Sequence, residues 1–152
     1  MTQQISPAPE QETIAPRPTA SLRDKIDQLE ALMRREPQVE IEPVHYFAAG
    51  LYAREIHIKA GTLLTGKIHR TEHLNIVSKG RIIVWTEDGM KEVAAPFTMV
   101  SRPGTKRVGY ALEDTVWTTI HATTETDLEK LEAELIAPTR SALDEKETLC
   151  LG

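Results

Sequence analysis

Between residues 44 and 122 apolar and polar side chains alternate in short runs broken by turn signals, the period-two texture of an all-β domain. The runs cover residues 52–59, 63–68, 74–78, 81–86, 91–94, 97–101, 107–111 and 115–122. Between them stand Ala60-Gly61, Lys79-Gly80, Asp88-Gly89, Pro96, Pro103-Gly104 and Glu113-Asp114. Asp88-Gly89 predicts a type I′ hairpin turn, because that turn needs positive φ and glycine adopts it without steric cost. Strands this short and numerous close best into an antiparallel barrel or jelly roll. The predicted fold class is all-β with flanking helices.

Helical spacing appears on both sides of this region. Ser21 can cap a helix over residues 21–36 that Pro37 stops. Leu22, Ile26, Leu29, Leu32 and Met33 make one apolar stripe, with Arg23, Asp24, Lys25, Asp27, Glu30 and Arg34 on the other faces. Two uses of the stripe stay open: packing on the outside of the barrel, or self-association and docking onto a partner. Two heptads are too short for a stable isolated coiled coil. A second helix is expected over residues 124–137, with a Thr126–Glu129 capping box, an apolar face of Leu128, Leu131 and Leu135, and Pro138 at its end. Residues 1–20 carry Pro7, Pro9, Pro16 and Pro18 among polar side chains and cannot bury enough apolar surface to offset ordering entropy. This arm is expected to be disordered until a partner orders it. Residues 138–152 read as a polar tail that could dock weakly through Leu143, Leu149 and Leu151.

Composition narrows the function classes. The chain has 152 residues and an apolar fraction of 40%, enough for one modest core and so one domain with tails. Aromatic residues make up only 5%, so Ile, Val and Leu must fill the core, and Trp85 and Trp117 are expected to be its largest single burials. A formal charge of −5 without a basic stripe argues against nucleic acid as the main partner. Cys150 is the only cysteine. No internal disulfide or thiolate metal cage can form, and a free surface thiol in a reducing compartment is expected. The N-terminus lacks a basic segment followed by an apolar run, and nowhere do ~18 apolar residues run together. These features predict a soluble, cytoplasmic protein with no membrane partner.

Residues 61–80 read G-T-L-L-T-G-K-I-H-R-T-E-H-L-N-I-V-S-K-G. This segment resembles the first motif of the cupin superfamily, in which two histidines and a glutamate bind a divalent metal inside an antiparallel β-barrel. Anchored on Gly80, the resemblance puts His73 at the glutamate position, His69 at the second histidine and Lys67 at the first. The second motif is matched loosely by residues 95–111. There Gly104 keeps the turn glycine and Pro103 sits one place from the expected proline, but Arg107 takes the histidine position and Ala111 the asparagine position. Arginine offers donors only and cannot replace a metal-binding imidazole. The resemblance implies a cupin-type barrel (jelly roll) over residues 44–122 whose four-ligand site is not intact.

Three arrangements of the pocket stay open. On the last strand Trp117, Thr119 and His121 share one face; if that face is the inner one, His121 joins His69 and His73, and three neutral imidazoles suffice for Zn, Fe, Ni or Cu. Alternatively, the histidines hydrogen-bond to Asn75, Thr119 and Glu72 in a polar interior that binds nothing. In the third arrangement Lys67, Arg107 and Asn75, with Lys106 beside them, face a carboxylate or phosphate. No Asp or Glu is clearly placed on the inner face as a general base, which weighs against an enzyme. His57 alternates with Glu55 and Lys59 on a solvated face, Arg54-Glu55 is a candidate local ion pair, and His45 lies at the entry to the first strand. None of these has an assigned function.

A narrower likeness runs through Leu51-Tyr52-Ala53-Arg54-Glu55, Gly66-Lys67-Ile68-His69, His73-Leu74-Asn75 and Ser78-Lys79-Gly80. It continues through Pro103-Gly104-Thr105-Lys106-Arg107 and Tyr110-Ala111-Leu112-Glu113-Asp114 to His121 and Asp127-Leu128-Glu129. These residues are similar to a group of small cupin-like proteins encoded in tailed bacteriophages and prophages. The likeness implies a phage context and no particular reaction. Two functions are carried forward. One is a non-enzymatic virion or assembly component that docks other phage structural proteins through its N-terminal arm and helix. The other is a small metal-dependent enzyme of the oxygenase or isomerase type. Cupin barrels commonly pair through sheet edges, so a homo-oligomer is expected, in the bacterial host cytoplasm or in a virion.

Overall fold

The computed structural model describes residues 21–139 and 142–143. The predicted arm over residues 1–20, most of the predicted tail and Cys150 lie outside the described residues. Helix α1 (Leu22–Met33) is followed by strands β1 (Val44–Ala48), β2 (Leu51–Ile58), β3 (Leu63–Thr65), β4 (Ile68–His69), β5 (His73–Lys79), β6 (Arg81–Thr86), β7 (Gly89–Ala94), β8 (Phe97–Ser101), β9 (Val108–Ala111) and β10 (Thr115–Ala122). Helix α2 (Leu128–Leu135) and strand β11 (Ile136–Ala137) come last. One sheet runs β1-β2-β10-β5-β8, the facing one β3-β9-β6-β7, and β11 pairs with β4 beside them. Every pairing is antiparallel. The fold is an all-β jelly roll with two flanking helices.

The period-two alternation sorts side chains between the inside of the roll and its surface. Ile58, Val77 and Trp117 of one sheet meet Ile82, Val84, Val93 and Ala111 of the other in the main core. Each fully buried aliphatic side chain there contributes about 1.5–3 kcal/mol. A second cluster, Tyr52 with Leu131 and Leu135, fastens α2 across one end of the roll. Gly80 joins β5 to β6 at φ 86°, and a Cβ built there would lie 2.3 Å from the Asp114 carbonyl oxygen. Only glycine fits at that crossing.

Helix α1 starts on a full capping box between Ser21 and Asp24. It packs on the outer face of the four-stranded sheet, where Ile26 is 5% exposed. Arg23 reaches Glu87 at 3.0 Å and the Gly104 carbonyl at 3.1 Å, and Lys106 is ion-paired with Glu30. Of the predicted docking stripe, Ile26 is therefore taken by the barrel, Leu29 and Met33 are half-buried, and Leu22 and Leu32 stay exposed.

Several local expectations are corrected. The β6–β7 hairpin turns on Glu87-Asp88, because Thr86 pairs with Gly89, and among the described residues only glycines have positive φ. That excludes a type I′ turn, which needs positive φ at both central positions. Trp85 is only half-buried and lies under α1, so Trp117 alone of the two tryptophans sits in the main core. The α2 cap is Asp127, whose side chain accepts from the Glu129 and Lys130 amides, one place after the predicted Thr126. The predicted strand over residues 63–68 divides into β3 and β4, and β11 arises where helix was expected. Among the described residues, no helix is long and apolar enough to cross a membrane.

Candidate metal centre

Register arranges the inner face of the five-stranded sheet in rows. Tyr52 pairs with His121, and one residue beyond the Ile120–Leu74 pair stands His73, itself opposite Ser101. The next row reads His45, Arg54, Thr119, Asn75 and Met99, and the one beneath it Ile56, Trp117, Val77 and Phe97. A histidine row thus lies above a polar row, and that above an apolar floor.

His69 arrives from outside this sheet. It pairs with Ile136 across β4 and β11, its carbonyl accepts from the Gly104 amide at 2.9 Å, and the next residue's amide donates to Leu135 at 2.7 Å. These backbone bonds carry its ring onto the other two. The ring centroids of His69 and His73 are 4.2 Å apart, those of His69 and His121 4.8 Å, and those of His73 and His121 4.6 Å. One ligating atom from each residue lies within 4.8 Å of the others.

Burial sets the protonation of this cluster. It pushes His69 down to about 2, with the charges of His73, His121, Arg107 and Arg54 acting the same way. His121 falls to about 4, through burial and then His73 and Arg54. His73 is lowered too, by burial against the raising effect of its bond to the Thr71 carbonyl. All three rings are therefore neutral near pH 7, the state in which imidazole offers a lone pair to a metal. His73 Nδ1 donates to the Thr71 carbonyl at 3.0 Å, since that oxygen can only accept, so its Nε2 carries the lone pair. Nδ1 of His69 and Nδ1 of His121 are buried without a hydrogen-bond partner among the described residues. Leaving such atoms unsatisfied costs about 1–3 kcal/mol each, and a metal held through those nitrogens would remove that penalty. The residues fit a divalent ion.

The alternative polar network does not form. Asn75 accepts from Trp117 Nε1 at 3.1 Å and donates to Ser101 Oγ at 2.5 Å, instead of bonding a histidine. Thr119 donates to the Arg54 carbonyl at 3.5 Å, and Glu72 is exposed. The strand pairings set Asn75 and Thr119 one row below His73 and His121, and neither bonds the orphaned nitrogens.

The predicted anion trio is also rearranged. Lys67 lines the cavity but lies 2.5 Å from Glu132 Oε1 of α2, and Lys106 faces Glu30 on the α1 side. Arg107 lines the cavity with Nη2 donating to Ser101 Oγ at 2.5 Å. A chain of hydrogen bonds from Trp117 through Asn75 and Ser101 thereby orients this guanidinium.

Arg54, Tyr52 and His45 line the same cavity, where the sequence placed none of them. His45 Nδ1 is 2.6 Å from the Tyr52 hydroxyl. Arg54 does not pair with Glu55, which instead meets His57 at 2.7 Å on the solvated face. The alternation that sends His57 outward sends Tyr52, Arg54 and Ile56 inward, and that signal was present in the chain.

The sequence matches no protein-family model and no curated protein. Solved structures similar to the chain include KdgF from Halomonas sp., at 18% identity over 59% of this chain and 87% of that one, with a TM-score of 0.49. A cupin-2 domain containing protein from Shewanella frigidimarina is 14% identical over 62% of this chain and 92% of that one, with a TM-score of 0.46. A cupin domain from Bordetella pertussis is 11% identical over 59% and 99%, also with a TM-score of 0.46.

Proposed function

We propose that this chain is a metal-dependent cupin that binds a small molecule, with His69, His73 and His121 holding one divalent ion. The observation that carries the reading is the meeting of three neutral imidazoles, two of which carry a buried nitrogen with no hydrogen-bond partner among the described residues. Zn, Fe, Ni and Cu all accept such a donor set. When bound, the ion would supply Lewis acidity or redox chemistry of the kind an isomerase or oxygenase uses. The protein's own part is to orient the rings through β4, β5 and β10, to hold a guest against the polar row, and to limit water through α2. Leu131 and Leu135 of that helix line the cavity roof.

The test is metal analysis of freshly purified protein beside a His69→Ala, His73→Ala variant. About one equivalent per chain, lost in a variant that still folds, is expected. Less than about a tenth of an equivalent in the wild type, unchanged after incubation with each metal, would remove the reading.

A second reading, a non-enzymatic phage assembly component that docks a neighbouring protein through α1, draws support from the outward-facing Leu22 and Leu32. It requires the chain at fixed stoichiometry in washed particles, and absence from them would sink it.

A further inference from the structure

Among the described residues, three cationic side chains line the histidine cavity: Lys67, Arg54 and Arg107. Lys67 is neutralised by Glu132. Neither arginine has a carboxylate partner among the described residues, where the ion pairs of other arginines and lysines are made elsewhere. Arg54 stands on β2 in the polar row, level with Thr119 and directly below the Tyr52–His121 pair. Arg107 approaches from the opposite sheet, one residue before β9, with its carbonyl bonded to the Gly66 amide at 2.8 Å. Its hydrogen bonds to Ser101 and Met99 both use Nη2, so Nε and Nη1 have no partner among the described residues.

A guanidinium withdrawn from water without a counter-ion is unfavourable, and two of them across one cavity repel. An anion placed between them offsets both costs, and the planar forks suit a two-oxygen group. Below lie Ile56, Ile58, Ile82, Val84 and Trp117, which offer apolar surface and no charge. The cavity measures about 270 Å³, near the small end of the ~300–1,000 Å³ usual for ligand sites. Inorganic phosphate would leave that floor uncovered.

We propose that Arg54 and Arg107 clamp the carboxylate of a small organic acid whose apolar body lies on Ile56, Val84 and Trp117, a ligand class that rests on the small-molecule reading of this pocket. The clamp belongs to the arginines and the metal to the histidines, so each can be present without the other.

Calorimetric titration separates the two. The probes are butanoate, hexanoate and benzoate, their primary amides, and inorganic phosphate, added to chelator-treated and to zinc-loaded wild-type protein. At least one acid is expected to bind, with its amide and phosphate weaker by about tenfold or more. Arg54→Gln and Arg107→Gln are each expected to lose about tenfold in affinity for that acid. The proposal is overturned if no acid binds in either state, if the amide or phosphate binds as well as the acid, or if both folded variants keep wild-type affinity. The acid–amide comparison uses the wild type alone and so survives a variant that fails to fold. Acid binding without metal binding removes only the metal reading; metal binding without acid binding removes only the clamp.

Discussion

Acid should destabilise the metal-free protein well above the pH at which its carboxylates protonate. His69 and His121 are held neutral by burial, at about 2 and about 4 against an ordinary 6.5 in the unfolded chain. Below pH 6.5 the unfolded state therefore binds more protons than the folded one, so stability present at pH 8 is lost as pH falls through the unfolded value. At pH 5 each unfolded imidazole gains about 2 kcal/mol by protonating, and the two together about 4 kcal/mol. This figure depends on the unfolded pKa and not on how far the folded values drop, provided both rings stay neutral at pH 5. His73 adds in the same direction. Against a typical domain stability of about 5–15 kcal/mol the loss is large. Guanidinium unfolding of chelator-treated protein at pH 8, 7, 6 and 5, followed by tryptophan fluorescence, measures it directly. A His69→Gln, His121→Gln variant should show a much flatter profile. A wild-type loss below about 1 kcal/mol between pH 8 and 5, or an equal loss in the variant, would refute the reasoning.

Gly80→Ala should destabilise by more than about 3 kcal/mol, because its Cβ would collide with the Asp114 carbonyl and Thr115 backbone at a positive φ; an unchanged thermal midpoint would contradict the strand register. Asn75→Ala strands Trp117 Nε1 and removes one partner of Ser101, at a cost of about 2–4 kcal/mol read by chemical denaturation. Glu30→Ala leaves the Lys106 side chain, 9% exposed, without its partner and should cost about 2–3 kcal/mol. Adding Lys106→Met should recover most of that loss, and a double variant no better than the single would show that the pair does not hold α1.

Most of the roll was legible because its strands alternate apolar with polar positions and most are separated by glycine or proline. His121 could be set beside Trp117 and Thr119 from that pattern alone, and the structure brings it to His69 and His73. What escaped depends on contacts between distant segments. The pairing of β11 with β4 takes two residues from a helical-looking stretch, and nothing local to Ile136 announces that His69 will be its neighbour. Lys67 looked like an anion ligand because Glu132 lies far along the chain. Arg54 was hidden by its neighbours: Glu55 and His57 fixed attention on the outer face, although the same alternation turns Arg54 inward. Trp85 is covered by α1 instead of the core because β6 presents it on the outer side, one position after Val84. At the β6–β7 hairpin, a two-residue motif did not reveal which pair occupies the centre of the turn, since the cross-strand register decides it.

The proposed metal centre draws its three imidazoles from three separate strands, and His121 is the ligand that no contiguous motif supplies. Titration of Zn²⁺ and Fe²⁺ into chelator-treated protein, with the wild type beside His121→Ala, tests it most directly. Saturation at about one ion per chain is expected in the wild type, and binding weaker by about a hundredfold or more in a folded His121→Ala protein. Wild-type protein that binds neither ion, or a variant that binds with wild-type affinity and stoichiometry, would contradict it.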